Sequence, residues 1–179
     1  MPRILPYLLL IAICGSFFGS YGTTARPSNE ELRPLLNSER IKQIYGSYGI
    51  EVLTSQPLRV SNLYSHENGK RICRTLAIVS FHESIPEELS IPLQAIEQGS
   101  SLGATLKEAG WVIEKHHQFF GELATGNRFR DLAALDTQSS NSDCALHIYV
   151  LWVIKEKTRI PFSTIAEIHH PNYLKLKDL

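Results

Sequence analysis

Two arginines, one glutamate and a scatter of histidines are the residues of this chain whose types and spacing suit chemistry. Leu58 to Tyr64 and Arg71 to Phe81 are rich in β-branched and aromatic residues, and His66-Glu67-Asn68-Gly69 between them reads as a turn. Taken as a four-residue turn, it sets Ser61 opposite Arg74 and Arg59 opposite Leu76. Alternation then places Arg59, Ser61, Arg74 and Leu76 on one face, with the two arginines as diagonal neighbours able to hold one anion. Each guanidinium can donate two parallel hydrogen bonds, which suits a carboxylate or phosphate. The other reading of this spacing is a pair of arginines on a solvated face.

A second cluster is Ala166-Glu167-Ile168-His169-His170-Pro171. On a strand, Glu167 and His169 share a face and His170 points away. Glu167 lies in an apolar run, so burial as an ion requires a partner, for which Arg59 or Arg74 would serve. A structural salt bridge and a functional carboxylate are both open. The remaining histidines are His66, His82, His116, His117 and His147. Glu167, His169 and His147 are the types that bind zinc if adjacent strands bring them together. The chain has no HExxH or other tight ligand motif, so the sequence assigns neither a metal nor a cofactor. The absence of GxSxG, P-loop and Rossmann glycine patterns removes the commonest hydrolase and nucleotide readings.

The elements that must carry these residues follow from periodicity. Ser28-Asn29-Glu30-Glu31 has the capping-box pattern, and Leu32, Leu35, Leu36, Ile41, Ile44 and Tyr45 continue at helical spacing. Pro34 splits or shifts that stretch, and Gly46 and Gly49 end it. Ile50 to Leu53, the hairpin and Trp111 to Phe120 read as strands. Ala145 to Ile154, apolar nearly throughout, reads as a central strand that pairs with Arg159 to His170 and stops at Pro171. Leu89, Leu93 and Ile96 indicate one helix. Leu102, Leu106 and Ala109, after a cap at Ser100 or Ser101, indicate another, closed by Gly110. Phe129 to Leu135 reads as a short helical patch and Thr137 to Asp143 as an exposed loop. This order predicts an α+β domain: an antiparallel sheet with helices packed on one face.

Arg59 on one strand, Cys73-Arg74-Thr75 on the return strand, Ser101-Leu102-Gly103-Ala104-Thr105-Leu106 opening a helix and Ala166 to Pro171 ending a late strand together resemble chorismate pyruvate-lyase. They also resemble the related UTRA-type ligand-binding domains of bacterial regulators. The resemblance spans about Leu58 to Leu174 and implies a chorismate-lyase-like fold around a small enclosed pocket. It further implies that Arg59 and Arg74 bind the ligand's carboxylates, that Glu167 is the acid/base or orienting group, and that the Leu102 and Gly103 amides close the site, with His169 beside it.

Composition bounds the partners. The 179 residues carry 18 basic and 18 acidic side chains and no basic stripe, which argues against a nucleic-acid partner. Arg3, the apolar Ile4 to Phe18 and the small residues down to Ala25 describe a secretory signal. A retained membrane anchor, or a lipidated Cys14, are the other readings of residues 1–25, leaving one domain at 26–179. Membrane contact is expected only through such a terminus, and the compartment is periplasmic or secreted. Outside this segment only Cys73 and Cys144 remain, and spacing does not show whether they pair. The leading expectation is an extracytoplasmic binder of a small carboxylated or aromatic compound. The alternative is a lyase removing pyruvate from a chorismate-type substrate. Expressed with a reporter, the mature chain should begin after about Ala25, outside the cytoplasm, whereas a soluble cytoplasmic product starting at Met1 would contradict export.

Overall fold

The structure, a computed structural model, describes residues 27–124 and 143–179. The expected secretory signal, the expected helical patch at Phe129–Leu135 and most of the expected loop at Thr137–Asp143 lie outside the described residues. Helix α1 (Asn29–Leu32) opens on the expected capping box: the Ser28 hydroxyl accepts from the Glu31 N–H, and the Glu31 carboxylate returns to the Ser28 N–H. The helical run breaks around Pro34 and resumes as α2 (Asn37–Tyr45), which ends where Gly46 takes φ +73°.

Strands β1 (Gly49–Thr54), β2 (Arg59–Glu67) and β3 (Lys70–Phe81) form a meander. A 3-10 turn at Glu87–Leu89, α3 (Ser90–Glu97) and α4 (Leu102–Glu108) then carry the chain across one face to the far edge, β4 (Val112–Leu123). Strands β5 (Cys144–Lys155) and β6 (Thr158–His169) return to the centre, giving one antiparallel six-stranded sheet in the order β1-β2-β3-β6-β5-β4. The sequence assigns every one of these strands, and β6 stops before Pro171 as expected.

The β2–β3 register differs from the expected one. Glu67 pairs with Lys70, so Asn68 and Gly69 alone make the turn, both at positive φ (49° and 76°). This is the tight Asn-Gly hairpin geometry that right-twisted strands favour. A bulge between Leu63 and Tyr64 then leaves Arg74 as the extra residue, so Ser61 meets Ala77 and Arg59 meets Val79. Leu76 consequently moves to the opposite face, beside Cys144 and Ile168.

The helices pack on the other face, hereafter the inner one. Leu89, Ile96, Leu102 and Leu106 close against Val79, Leu151, Val153, Phe162 and Ile165. Nearer the chain ends, Ile41 of α2 joins Leu63, Ala77, Tyr173 and Leu174. Cys73 and Cys144 form no disulfide with each other. Cys73 points away from the inner layer toward Asn62 Oδ1 at 3.5 Å, and burial pushes its thiol up to about 11. Among the described residues, no helix is long and apolar enough to cross a membrane. Leu151 is fully enclosed in the larger cluster. Leu151→Ala should therefore lower unfolding free energy by about 2–5 kcal/mol, read from urea denaturation; an unchanged midpoint would mean that this layer is loosely packed.

Candidate functional site

Three rows of side chains cross the inner face. One runs Arg59, Val79, Ile165, Tyr149, His117; the next runs Ser61, Ala77, Glu167, His147; the third runs Leu63, Thr75, His169, Ala145. Charged and polar groups thus occupy the sheet centre beside the apolar cluster. Ala77, with only a methyl group, sits among larger neighbours and leaves space above it.

That space is part of a cavity of about 60 Å³, lined by Arg59, Ser61, Tyr48, Gly103, Tyr149 and Glu167 among others. A single water needs roughly 10–15 Å³ measured this way, so the cavity admits a small molecule. Arg59 is 2% exposed. Its Nη2 donates to the Ser100 carbonyl at 3.1 Å and its Nη1 to Ser61 Oγ at 3.4 Å, while Nε makes no hydrogen bond. It forms no ion pair with any described residue. Burial draws the guanidinium down from its ordinary value, and nearby Tyr48 partly opposes that shift. An arginine nevertheless stays charged in proteins, so this is a buried cation without an anion beside it.

Gly103 lines the same cavity because Leu36 lies against it: a Cβ there would stand 2.3 Å from Leu36 Cδ1. Leu102 also lines the cavity. Ser101 stands at the start of α4 without a side-chain cap, and it lines the cavity together with Tyr48.

Arg74 does not line this cavity. The bulge keeps it on the inner face, as expected, but nearer the hairpin turn. There its Nε donates to Ser65 Oγ at 2.9 Å, its Nη2 pairs with Glu67, and its guanidinium stacks 3.7 Å over the Tyr45 ring. The expected cluster of Arg59, Arg74 and Glu167 is therefore divided: all three are buried, but only Arg59 and Glu167 share a cavity. The cause is the tighter turn and the bulge.

Glu167 is 5% exposed and accepts from the Tyr149 hydroxyl at 3.2 Å. It faces His147 directly across the β5–β6 ladder and shares its face with His169 two residues on. His147 Nδ1 and His169 Nε2 lie 4.0 and 3.9 Å from Glu167 Oε2. Those separations are too long for hydrogen bonds. Burial pushes His147 down to about 3, helped by the charges of Lys115 and Arg40, and holds His169 well below its ordinary value. Both rings are thus neutral near pH 7, and neither contact is an ion pair.

Each ring is oriented from its far side. His117 Nδ1 is 2.8 Å from His147 Nε2, and Thr75 Oγ1 is 3.0 Å from His169 Nδ1. Thr75 in turn accepts from Asn37 Nδ2 at 3.0 Å, and Asn37 Oδ1 accepts from the Tyr173 hydroxyl at 2.7 Å. A second, smaller cavity of about 30 Å³ opens beside the pair and is bordered by Arg40 and Lys115. His170 points away, with its ring accepting from the Asn172 N–H at 3.1 Å.

No protein-family model, curated protein or solved structure matches this chain. The site is therefore read from its own geometry. Sequence reasoning singled out Arg59, Glu167, His169, Leu102 and Gly103, and considered His147. It missed Tyr48, Tyr149 and Thr75. Tyr149 was within reach, because it alternates with His147 on the strand assigned as central.

The two buried imidazoles give stability a pH dependence of known sign. An unfolded histidine takes its proton near pH ~6.5, whereas folded His147 refuses it until about 3. Between those values the unfolded state binds more protons, so stability falls as pH drops, with each ring contributing a slope approaching ~1.4 kcal/mol per pH unit. Denaturation with a chelator present should show this loss between about pH 7 and pH 5, above the main carboxylate range. His147→Gln should reduce the slope by about half, leaving the share of His169, and a wild-type profile that is level in that window would contradict the assignment.

Proposed function

We propose that this chain is an exported binder of a small carboxylated molecule, built on a chorismate-lyase-like fold. The observation that carries the reading is Arg59: a buried guanidinium on a cavity wall, with one N–H unused and no ion-pair partner among the described residues. Burying such a charge is costly, and a ligand carboxylate would supply the missing acceptor and opposite charge. Tyr48 and Tyr149 add flat walls for an aromatic body, and Glu167 with Tyr149 offers a polar group to orient it. Support for the fold comes from the six-stranded antiparallel sheet, the helices on one face and the space between the hairpin and Gly103. The apolar Ile4 to Phe18 after Arg3 supports export.

Elimination of pyruvate, the chemistry that the resemblance implies, would place two arginines on one substrate. Arg74 is engaged by Glu67, Ser65 and Tyr45 outside the cavity, which favours binding over lysis. The test is Arg59→Met, a substitution of similar length without charge. It should abolish binding of small carboxylates such as benzoate, 4-hydroxybenzoate or pyruvate, followed by ligand-observed NMR. Because an uncompensated buried charge is removed, the ligand-free variant should be as stable as wild type or more stable by about 1–4 kcal/mol. Unchanged carboxylate binding in this variant would sink the reading, and release of pyruvate from chorismate by the wild type would replace binding with catalysis.

A further inference from the structure

The His147, Glu167 and His169 side chains carry a second site, which does not depend on the carboxylate reading. Their ligand atoms all lie within 4.8 Å of one another, and all three residues are buried. The spacing follows from the sheet: Glu167 and His169 are alternate residues on β6, and His147 is the direct cross-strand neighbour of Glu167. Three side chains on adjacent rungs of one face converge without help from a loop.

An empty polar corner would normally close on itself with hydrogen bonds, and this one does not. His169 is 1% exposed, and its Nε2 is buried without a hydrogen-bond partner. Glu167 Oε2 stands 3.9–4.0 Å from both imidazole nitrogens, so the three atoms surround a space rather than bonding one another. Every outward atom, in contrast, is tied. His147 Nε2 meets His117, His169 Nδ1 meets Thr75, and Glu167 Oε1 accepts from Tyr149. Held from behind in this way, both rings can turn a lone pair inward, as metal-bound histidines do when the other nitrogen is fixed by a hydrogen bond.

We propose that His147 Nδ1, Glu167 Oε2 and His169 Nε2 bind one divalent transition ion of the zinc class. Two imidazoles and a carboxylate suit zinc, or iron and cobalt in a site with open positions. Ligand atoms around such an ion at ~2.1 Å stand roughly 3.4 Å apart in a tetrahedron, so from separations of up to 4.8 Å the corner must contract by up to about 1.4 Å. Small ring rotations supply this, because the second cavity lies beside the pair. Arg40 and Lys115 border that cavity. Their charges disfavour a bare dication and favour one that carries an anionic co-ligand in an open position.

The test uses chain stripped with a chelator, desalted and incubated with zinc or cobalt(II). About one equivalent should remain after a second desalting, and the cobalt form should show visible absorption of low-symmetry nitrogen–oxygen coordination. His169→Ala and Glu167→Gln should each weaken binding by at least about 100-fold, and Thr75→Val, which unties His169 Nδ1, by about 10–100-fold. His66→Asn, at an exposed position, should change nothing. Retention well below one equivalent, or retention that survives His169→Ala, would overturn the site. X-ray absorption of the zinc-loaded wild type needs no variant to fold: two imidazoles in the first shell support the assignment, and none refutes it. Benzoate binding that persists after the metal is stripped would separate this inference from the carboxylate reading.

Discussion

Guanidiniums, a carboxylate and two imidazoles are buried in the layer between the sheet and its helices, where leaving them unpaired is costly. Each needs partners from the protein or from a ligand, and the local architecture is arranged around the pairings that the protein supplies. Asn37, at the start of α2, reaches into the layer to donate to Thr75 and accept from Tyr173. The C-terminal segment is thereby tied to the sheet through a polar chain ending on His169. Replacing that chain with apolar contacts would leave His169 Nδ1 without a hydrogen-bond partner, so α2, the C-terminal segment and the third row form one unit.

Two bulges decide which residues enter this layer. At the first, Arg74 and Thr75 are consecutive yet both face inward, because the extra residue breaks the alternation. One pairs with Glu67 near the turn and the other with His169 at the centre. At the second, between Leu151 and Trp152, Phe162 is the extra residue of β6. Counting back from the Lys155–Thr158 pair without that bulge would set Leu146 opposite Glu167. With it, His147 takes that place. A one-residue shift in a ladder therefore separates an apolar neighbour from an imidazole.

This explains what was legible beforehand. All six strands could be read from composition and alternation, because burial on one or both faces imposes a strong period, and the α1–α2 break could be read from Pro34. Alternation put Arg59 and Arg74 on one face but left that face open to solvent, and only the resemblance set Glu167 opposite them. Register did not follow from alternation, because it depends on the turn and on bulges that have no dependable residue signature. Asn68-Gly69 was the available signal: as a two-residue turn it separates Arg59 from Arg74 at once. The division of the expected three-residue cluster thus comes from the two-residue turn together with the Leu63/Tyr64 bulge. The convergence of His147 on Glu167 needed the second bulge and could not be counted from sequence.

The distribution of unmet polar atoms bears on how such a layer persists. Native domains carry few buried polar atoms without partners, and each calls for a reason. Among the described residues the buried side-chain atoms in this state are Arg59 Nε, His169 Nε2 and Ser163 Oγ. Ser163 sits at the β6 bulge, where alternation is already broken. The other two belong to residues lining the two cavities that share Glu167. Meanwhile Leu89, Ile96, Leu106, Leu151 and Phe162 fill the apolar half of the same layer, with Leu151 also meeting the cavity beside Arg59. Tight apolar packing at one end of the sheet offsets the cost of uncompensated polar atoms at the other, and those atoms collect where a ligand could complete them.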